Sequence, residues 1–255
     1  MIVLKSRTEI DTMRAAGRIV FAVLDELTKH VRSGISTFEL DRIAEEFIRG
    51  KGGIPSFKGL YGFPATLCTS INEEIVHGIP SRKRVLSEGN VFTADVGVQL
   101  DGIHADSART YAVGEISPEA TRLLKVTEES LYAGIKEARA GNHVGDIGHA
   151  VQNVAEGAGF GVVRELVGHG IGRTFHEEPQ VPNYGRPKRG PVLKVGMTIA
   201  IEPMITAGDP ATRTLDDKWT VVTLDGSLSA HFEHTVAITA QGPRILTGKT
   251  GVLVP

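Results

Sequence analysis

Four acidic residues sit in stretches that otherwise read as apolar strands. Asp95 lies in Val91-Phe-Thr-Ala-Asp-Val-Gly-Val, and Asp106 lies in the strand after it. Glu202 interrupts Met197-Thr-Ile-Ala-Ile-Glu-Pro-Met-Ile, and Glu233 interrupts His231-Phe-Glu-His-Thr-Val-Ala-Ile. A buried carboxylate without a partner protonates rather than stay charged, and like charges side by side repel. One such acid is readily a satisfied structural residue. Four of them call for divalent cations, which resolve both problems.

Histidines supply the remaining chemistry. His169 sits in Gly168-His-Gly-Ile-Gly, where glycines allow the backbone to approach closely. His77 precedes Gly78-Ile-Pro, and His176 follows Phe175. His30, His143 and His149 read as surface residues. His104, His231 and His234 flank the acidic strands, and alternation places His104 on the Asp106 face, as a partner orienting a ligand.

Helices and a hairpin must position these groups. Apolar residues at helical spacing predict a helix over 8–31 with Thr8 as N-cap, ended by Gly34. A second begins near Ser36 or Thr37 and stops at Gly50. Strands over 90–100 and 102–113 meet at Leu100-Asp101-Gly102, a tight turn. The simplest register pairs Asp95 directly with Asp106, with a one-residue bulge at Gly102 as the alternative. The order then returns: helix from Pro118 to about Ala138, Gly141, helix to Gly157, and strands from Val192 onward, with a hairpin turn at Leu224-Asp-Gly-Ser.

A shift of 107 positions aligns Gly34 with Gly141, Gly50 with Gly157, Gly52 with Gly159, Gly78 with Gly185 and Gly89 with Gly196. It also aligns Pro80 with Pro187, Arg82 with Arg189, Val85 with Val192 and Leu86 with Leu193, and it places Asp95 on Glu202. The reading is a single α/β (α+β) catalytic domain over 1–255, built by duplication from halves of about 8–115 and 117–250. Each half offers an acid to one site near a pseudo-twofold axis.

Bulk properties set bounds. At 255 residues the chain buries a substantial core, and a net charge of -2 with 41% hydrophobic and 23% charged residues argues against bulk attraction to nucleic acid or anionic membrane. No apolar run is long enough to span a bilayer. One cysteine, Cys68, makes no internal disulfide, and the N-terminal residues lack a signal-peptide pattern. A cytoplasmic location is expected.

The ordered motifs His77-Gly-Ile-Pro, Asp95 with Asp106, Gly168-His169-Gly-Ile-Gly, Phe175-His176-Glu-Glu-Pro, Ile201-Glu202-Pro and Glu233-His-Thr resemble the methionine aminopeptidases over nearly the whole chain. The resemblance implies the pita-bread fold, with pseudo-twofold duplicated halves and antiparallel sheet covered by helices. It implies two divalent ions (Mn, Fe, Co or Zn) held by Asp95, Asp106, His169, Glu202 and Glu233, with Asp106 and Glu233 bridging. It also implies one monovalent cation on backbone oxygens of Asn72, Glu74 and Ser229. The implied reaction removes the initiator methionine from nascent proteins with a small second residue, through a metal-bound hydroxide. Glu202 would shuttle the proton, His176 would donate to the carbonyl or oxyanion, and His77 would contact the scissile amide. Phe63, Cys68, Phe175 and Trp219 would line the methionine pocket. The chain departs at Leu60, where the family commonly has Tyr, although Tyr61 follows it.

Only 26 positions separate His176 from Glu202, leaving no room for the insertion of the type II enzymes, and helix begins almost at once. The resemblance is therefore to bacterial type I enzymes, with no N-terminal zinc-binding extension. The basic runs Arg82-Lys83-Arg84 and Arg186-Pro-Lys-Arg189 read as solvated loops or, more sharply, as a ribosome-docking patch. A monomer with no DNA or membrane partner is expected. Two rivals share the fold: a prolidase or aminopeptidase P relative, and a non-catalytic peptide-binding scaffold.

Overall fold

A computed structural model describes residues 1–249; the last residues of the expected domain and second half, 250–255, lie outside them. Helix α1 spans Arg7–Thr28, and its cap is Ser6 rather than Thr8. The Ser6 hydroxyl accepts from the Glu9 amide while the Glu9 carboxylate accepts from the Ser6 amide, a reciprocal cap that fixes the start two residues earlier than apolar spacing alone suggested. Helix α2 spans Thr37–Gly50, capped by Ser36. Helix α3 spans Pro118–Glu137 after Ser117, and α4 spans Val144–Gly157.

Each helix pair covers antiparallel sheet. Met13, Val20 and Leu24 of α1 and Leu40 and Ile48 of α2 pack on Phe92, Val96 and Val98 of the strand Val91–Leu100. Leu131 and Ile135 of α3 and Ile147 of α4 pack on Ile199, Ile201, Val236 and Ile238. Each such side chain, fully buried, contributes about 1.5–3 kcal/mol. The first sheet sets Val91–Leu100 between Leu67–Ile71 and Ile103–Ala112. The second is five-stranded, with Thr198–Ile201 between Gly168–Gly170 and His234–Thr239.

The 107-position offset recurs in backbone detail. Helices α2 and α4 start and stop at equivalent positions. Isolated bridges join Ser36 to Val85 and His143 to Val192. The Gly34 amide donates to the Leu86 carbonyl at 2.8 Å, as Gly141 does to Leu193 at 2.9 Å. Val192 thus makes a bridge where continuous strand was expected; the described strand begins at Thr198.

Two further expectations change. Asp101 and Gly102 both take positive φ, at 48° and 77°, so the hairpin closes on a two-residue turn pairing Leu100 with Ile103. Asp106 therefore faces Gly97, and Asp95 faces Ala108. The slip from the simplest register is two positions, so both acids stay on one face, staggered along it. The turn after Leu224 is real, with Gly226 at φ 76°, but it is not a hairpin. Val221–Thr223 pairs with Glu74–Val76 and Thr212–Thr214, whereas Ser229–His231 pairs with Met204–Thr206.

The two halves meet along a seam held largely by hydroxyl groups. The Thr235 hydroxyl accepts from the Asp106 amide at 2.9 Å and donates to the Asp106 carbonyl at 2.8 Å. Thr110 does the same for residue 231, at 2.9 and 2.8 Å. Ser107 donates to the Glu233 carbonyl, and the Glu233 amide donates to the Ala108 carbonyl at 3.0 Å. No helix among the described residues is long and apolar enough to cross a membrane.

Candidate metal centre

Three ligand-type atoms, one each from Asp106, His169 and Glu233, lie within 4.8 Å of one another, and all three residues are buried. The seam explains the convergence: Asp106 comes from the first half and Glu233 from the second, and the hydrogen bonds just described hold their backbones together. Glu202 joins them, its Oε1 standing 3.7 Å from His169 Nε2. Asp95 and Asp106 share a cavity of about 220 Å³ with His77, His169, His176 and Glu202. All five expected ligands and both expected catalytic histidines are thus brought together.

The donor set fits divalent cations. Asp95 Oδ1, Asp106 Oδ1 and Glu233 Oε1 are buried without a hydrogen-bond partner among the described residues. Native interiors seldom tolerate such orphaned oxygens, and here three come from acids of the expected ligand set. Burial first, and neighbouring carboxylates second, push Asp95, Glu202 and Glu233 well above the usual carboxylate range. Burial raises Asp106 as well. Two divalent ions would offset the four negative charges and replace the protons. Oxygen-rich ligation with one imidazole suits Mn, Fe, Co or Zn.

His169 is prepared for such a role. Its Nδ1 lies 2.8 Å from the Gly170 carbonyl, which fixes the ring so that Nε2 offers a lone pair to the cleft. Burial lowers its pKa to about 4, keeping the ring neutral. The flanking glycines are sterically required. A Cβ at Gly168 would stand 2.4 Å from the Ala200 carbonyl oxygen, and one at Gly170 would stand 2.2 Å from that of Glu178.

The expected apolar pocket adjoins these groups. Cys68 pairs across the strands with Asp95, so the pocket wall and the nearest acid share one register position. Phe63 meets Trp219 edge-on at 5.1 Å, and Phe175 meets Phe57 at 5.3 Å. Aromatic edges suit a thioether. Phe57, absent from the sequence reading, is held by close packing: a Cβ at Gly97 would stand 2.8 Å from Phe175 and 3.0 Å from Phe57. Tyr61 takes the rim beside Leu60, with φ 51° and its ring stacked on His176 at 5.7 Å.

His104 does not orient a carboxylate. Its Nδ1 bonds Ser56 at 2.9 Å and its Nε2 bonds Gln99 at 3.0 Å, while the ring backs Phe175 edge-on at 5.6 Å. Strand alternation set its face but not its partners. His231 is the histidine that sequence reasoning passed over. It is 1% exposed, and Nε2 stands 3.6 Å from Glu202 Oε2.

Comparison with known proteins places this geometry. The family model described as metallopeptidase family M24 matches residues 11–240. A methionine aminopeptidase of Clostridium acetobutylicum is 55% identical, covering 97% of this chain and 99% of the relative. Methionine aminopeptidase 1 of Bacillus subtilis is also 55% identical, over the same shares. The crystal structure of methionine aminopeptidase from Thermotoga maritima superposes with a TM-score of 0.96 at 43% identity, covering 98% of this chain and 100% of that one. A prolidase from Pyrococcus furiosus shares the fold at TM-score 0.76 and 21% identity, with 97% of this chain matching 66% of the prolidase.

Proposed function

Given that the chain belongs to metallopeptidase family M24, among the methionine aminopeptidases of bacterial type, we propose that it removes the initiator methionine from new polypeptides whose second residue is small. The carrying observation is the convergence of Asp106, His169 and Glu233, the first two of which line the aromatic pocket. Asp95, Asp106, His169, Glu202 and Glu233 would hold two divalent cations, which supply an acidified water and a polarised carbonyl. Glu202 would take the proton of the attacking water and return it to the leaving amine. His176 donates a hydrogen bond to the carbonyl oxygen as it gains charge, and His77 holds the scissile amide. Burial keeps His77 neutral, with a pKa of about 4. Phe63, Cys68, Phe175 and Trp219 receive the methionine side chain, and Tyr61 braces His176 from the rim.

The same reading extends to the whole chain as one catalytic domain, monomeric and cytoplasmic. Backbone oxygens of Asn72, Glu74 and Ser229 would hold a monovalent cation, near the point where the Ser229 amide donates to the Asn72 carbonyl at 2.8 Å.

Purified protein is expected to cleave a Met-Ala-Ser peptide faster than an X-Pro peptide by about 10²-fold or more, the discrimination an apolar pocket can supply. Preference for the X-Pro peptide would transfer the chain to prolidase-like chemistry, and no cleavage of either would favour a binding scaffold.

Contact with the ribosome is a further part of this reading. In the first basic run, Arg84 pairs with Glu74 and Arg82 stacks over Phe38 at 4.0 Å, so Lys83 has the freest charge there. In the second run Arg186, Lys188 and Arg189 are exposed. Reversing charge at Lys83, Arg186 and Lys188 is expected to abolish cosedimentation with ribosomes at low salt; unchanged cosedimentation would remove this partner.

A further inference from the structure

His231 has an anomalous environment for a histidine. It is 1% exposed, and neither ring nitrogen has a hydrogen-bond partner among the described residues. Its backbone cannot shift to find one, because the Thr110 hydroxyl grips both its amide and its carbonyl. The strand pairing sets His231 opposite Met204, two residues beyond Glu202. The polar group it faces is the Glu202 carboxyl, with Nε2 3.6 Å from Oε2. That gap exceeds a good N–H···O bond by about half an ångström. A small rotation of the glutamate closes it.

From this geometry we infer that His231 is a positioning residue: its ring donates from Nε2 to Glu202 Oε2 and leaves Oε1 turned toward His169 and the cleft. The inference rests on the function proposed above and deepens it by explaining how a long side chain is kept in one orientation. Glu202 is otherwise held through its backbone, where the Asn183 side-chain amide donates to its carbonyl at 3.0 Å. Its two carboxyl oxygens lie between two imidazoles, His169 at 3.7 Å and His231 at 3.6 Å. The first faces the metal centre and the second lies behind it.

Three substitutions separate positioning from packing and from ligation. His231→Gln keeps a donor of similar reach, His231→Asn shortens it, and His231→Leu removes it. With Met-Ala-Ser peptide, His231→Leu and His231→Asn are expected to lower kcat about 10–100-fold with KM within about twofold, and His231→Gln to keep kcat within about fivefold of the parent. Calorimetric titration with Mn(II) is expected to show His231→Gln close to the parent and His231→Asn and His231→Leu weaker by no more than about 100-fold, as for a group that orients a ligand without being one. Metal-free melting curves establish folding; should His231→Leu fail to fold, the contrast of His231→Gln with His231→Asn decides. Full activity in His231→Leu or His231→Asn, or a His231→Gln form as weak as His231→Asn, overturns the inference. So does a loss of Mn(II) affinity well beyond about 100-fold in His231→Leu, which would make His231 a ligand. A readout independent of turnover is the ¹⁵N spectrum of histidine-labelled, Zn-loaded protein, where His231 is expected to carry its proton on Nε2; a proton on Nδ1 overturns the assignment. Failure of the parent protein to cleave the peptide would sink the proposed function, while the spectrum and the titration still decide the placement of His231.

Discussion

Glu202→Gln is expected to lower kcat on a Met-Ala-Ser peptide by about 10³-fold while the protein stays folded. A general acid–base group is worth about 10²–10⁴-fold, so the effect corresponds to about 4 kcal/mol at the transition state. The amide matches the carboxylate in shape but cannot take a proton from water. KM should change little, because the methionine side chain binds through Phe63, Cys68, Phe175 and Trp219. Metal-free stability should hold or rise, since the substitution removes one buried acid from a group already raised by burial and by Asp106. Glu202→Ala adds the loss of a metal donor and should lose activity at least as completely. Steady-state kinetics beside melting curves check both, and wild-type turnover in either folded variant would end the role assigned to Glu202.

Removing divalent metal should abolish activity below detection, and restoring it should recover both activity and stability. At a free metal concentration about a thousandfold above its dissociation constant, the gain in stability is about 4 kcal/mol. Its pH dependence has a definite sign. Asp95, Asp106, Glu202 and Glu233 are all raised in the metal-free fold by burial. A raised acid favours the fold while protonated, and that contribution is lost as pH rises through its folded-state pKa. Metal must displace those protons, so the gap in melting temperature between metal-loaded and chelated protein should widen from pH 6 to pH 8. His77 and His231, lowered by burial to about 4 and about 3, stay neutral in both forms across that range and cancel in the difference. A gap independent of pH would contradict carboxylate ligation, and activity unaffected by chelation would contradict metal dependence altogether.

Much of the site could be read before any coordinates. Acids in apolar strands declare themselves because charge is costly to bury, and the glycines around His169 mark close backbone contact. The hairpin register could not be read to the residue, since it depends on both Asp101 and Gly102 adopting positive φ. Parity survived the two-residue slip, and parity alone decides which face the acids share. The cap of α1 was misplaced because Ser6 and Glu9 announce themselves through a reciprocal hydrogen bond rather than through apolar spacing. Partners across sheets were hidden more deeply. The ring of His104 is taken up by Ser56 and Gln99, and His231 stands out only once its unpaired nitrogens are seen inside the protein. Tyr61 owes its place against His176 to a loop conformation that composition does not encode.

The hydroxyl-bonded joint between the halves has a mechanical consequence. Asp106 and Glu233 approach from opposite sides of that joint, so a cation held by both would act as a rivet through it. Without it the joint rests largely on the hydroxyl bonds of Thr235, Thr110 and Ser107, so chelation is expected to speed amide exchange along this line more than in either hydrophobic core.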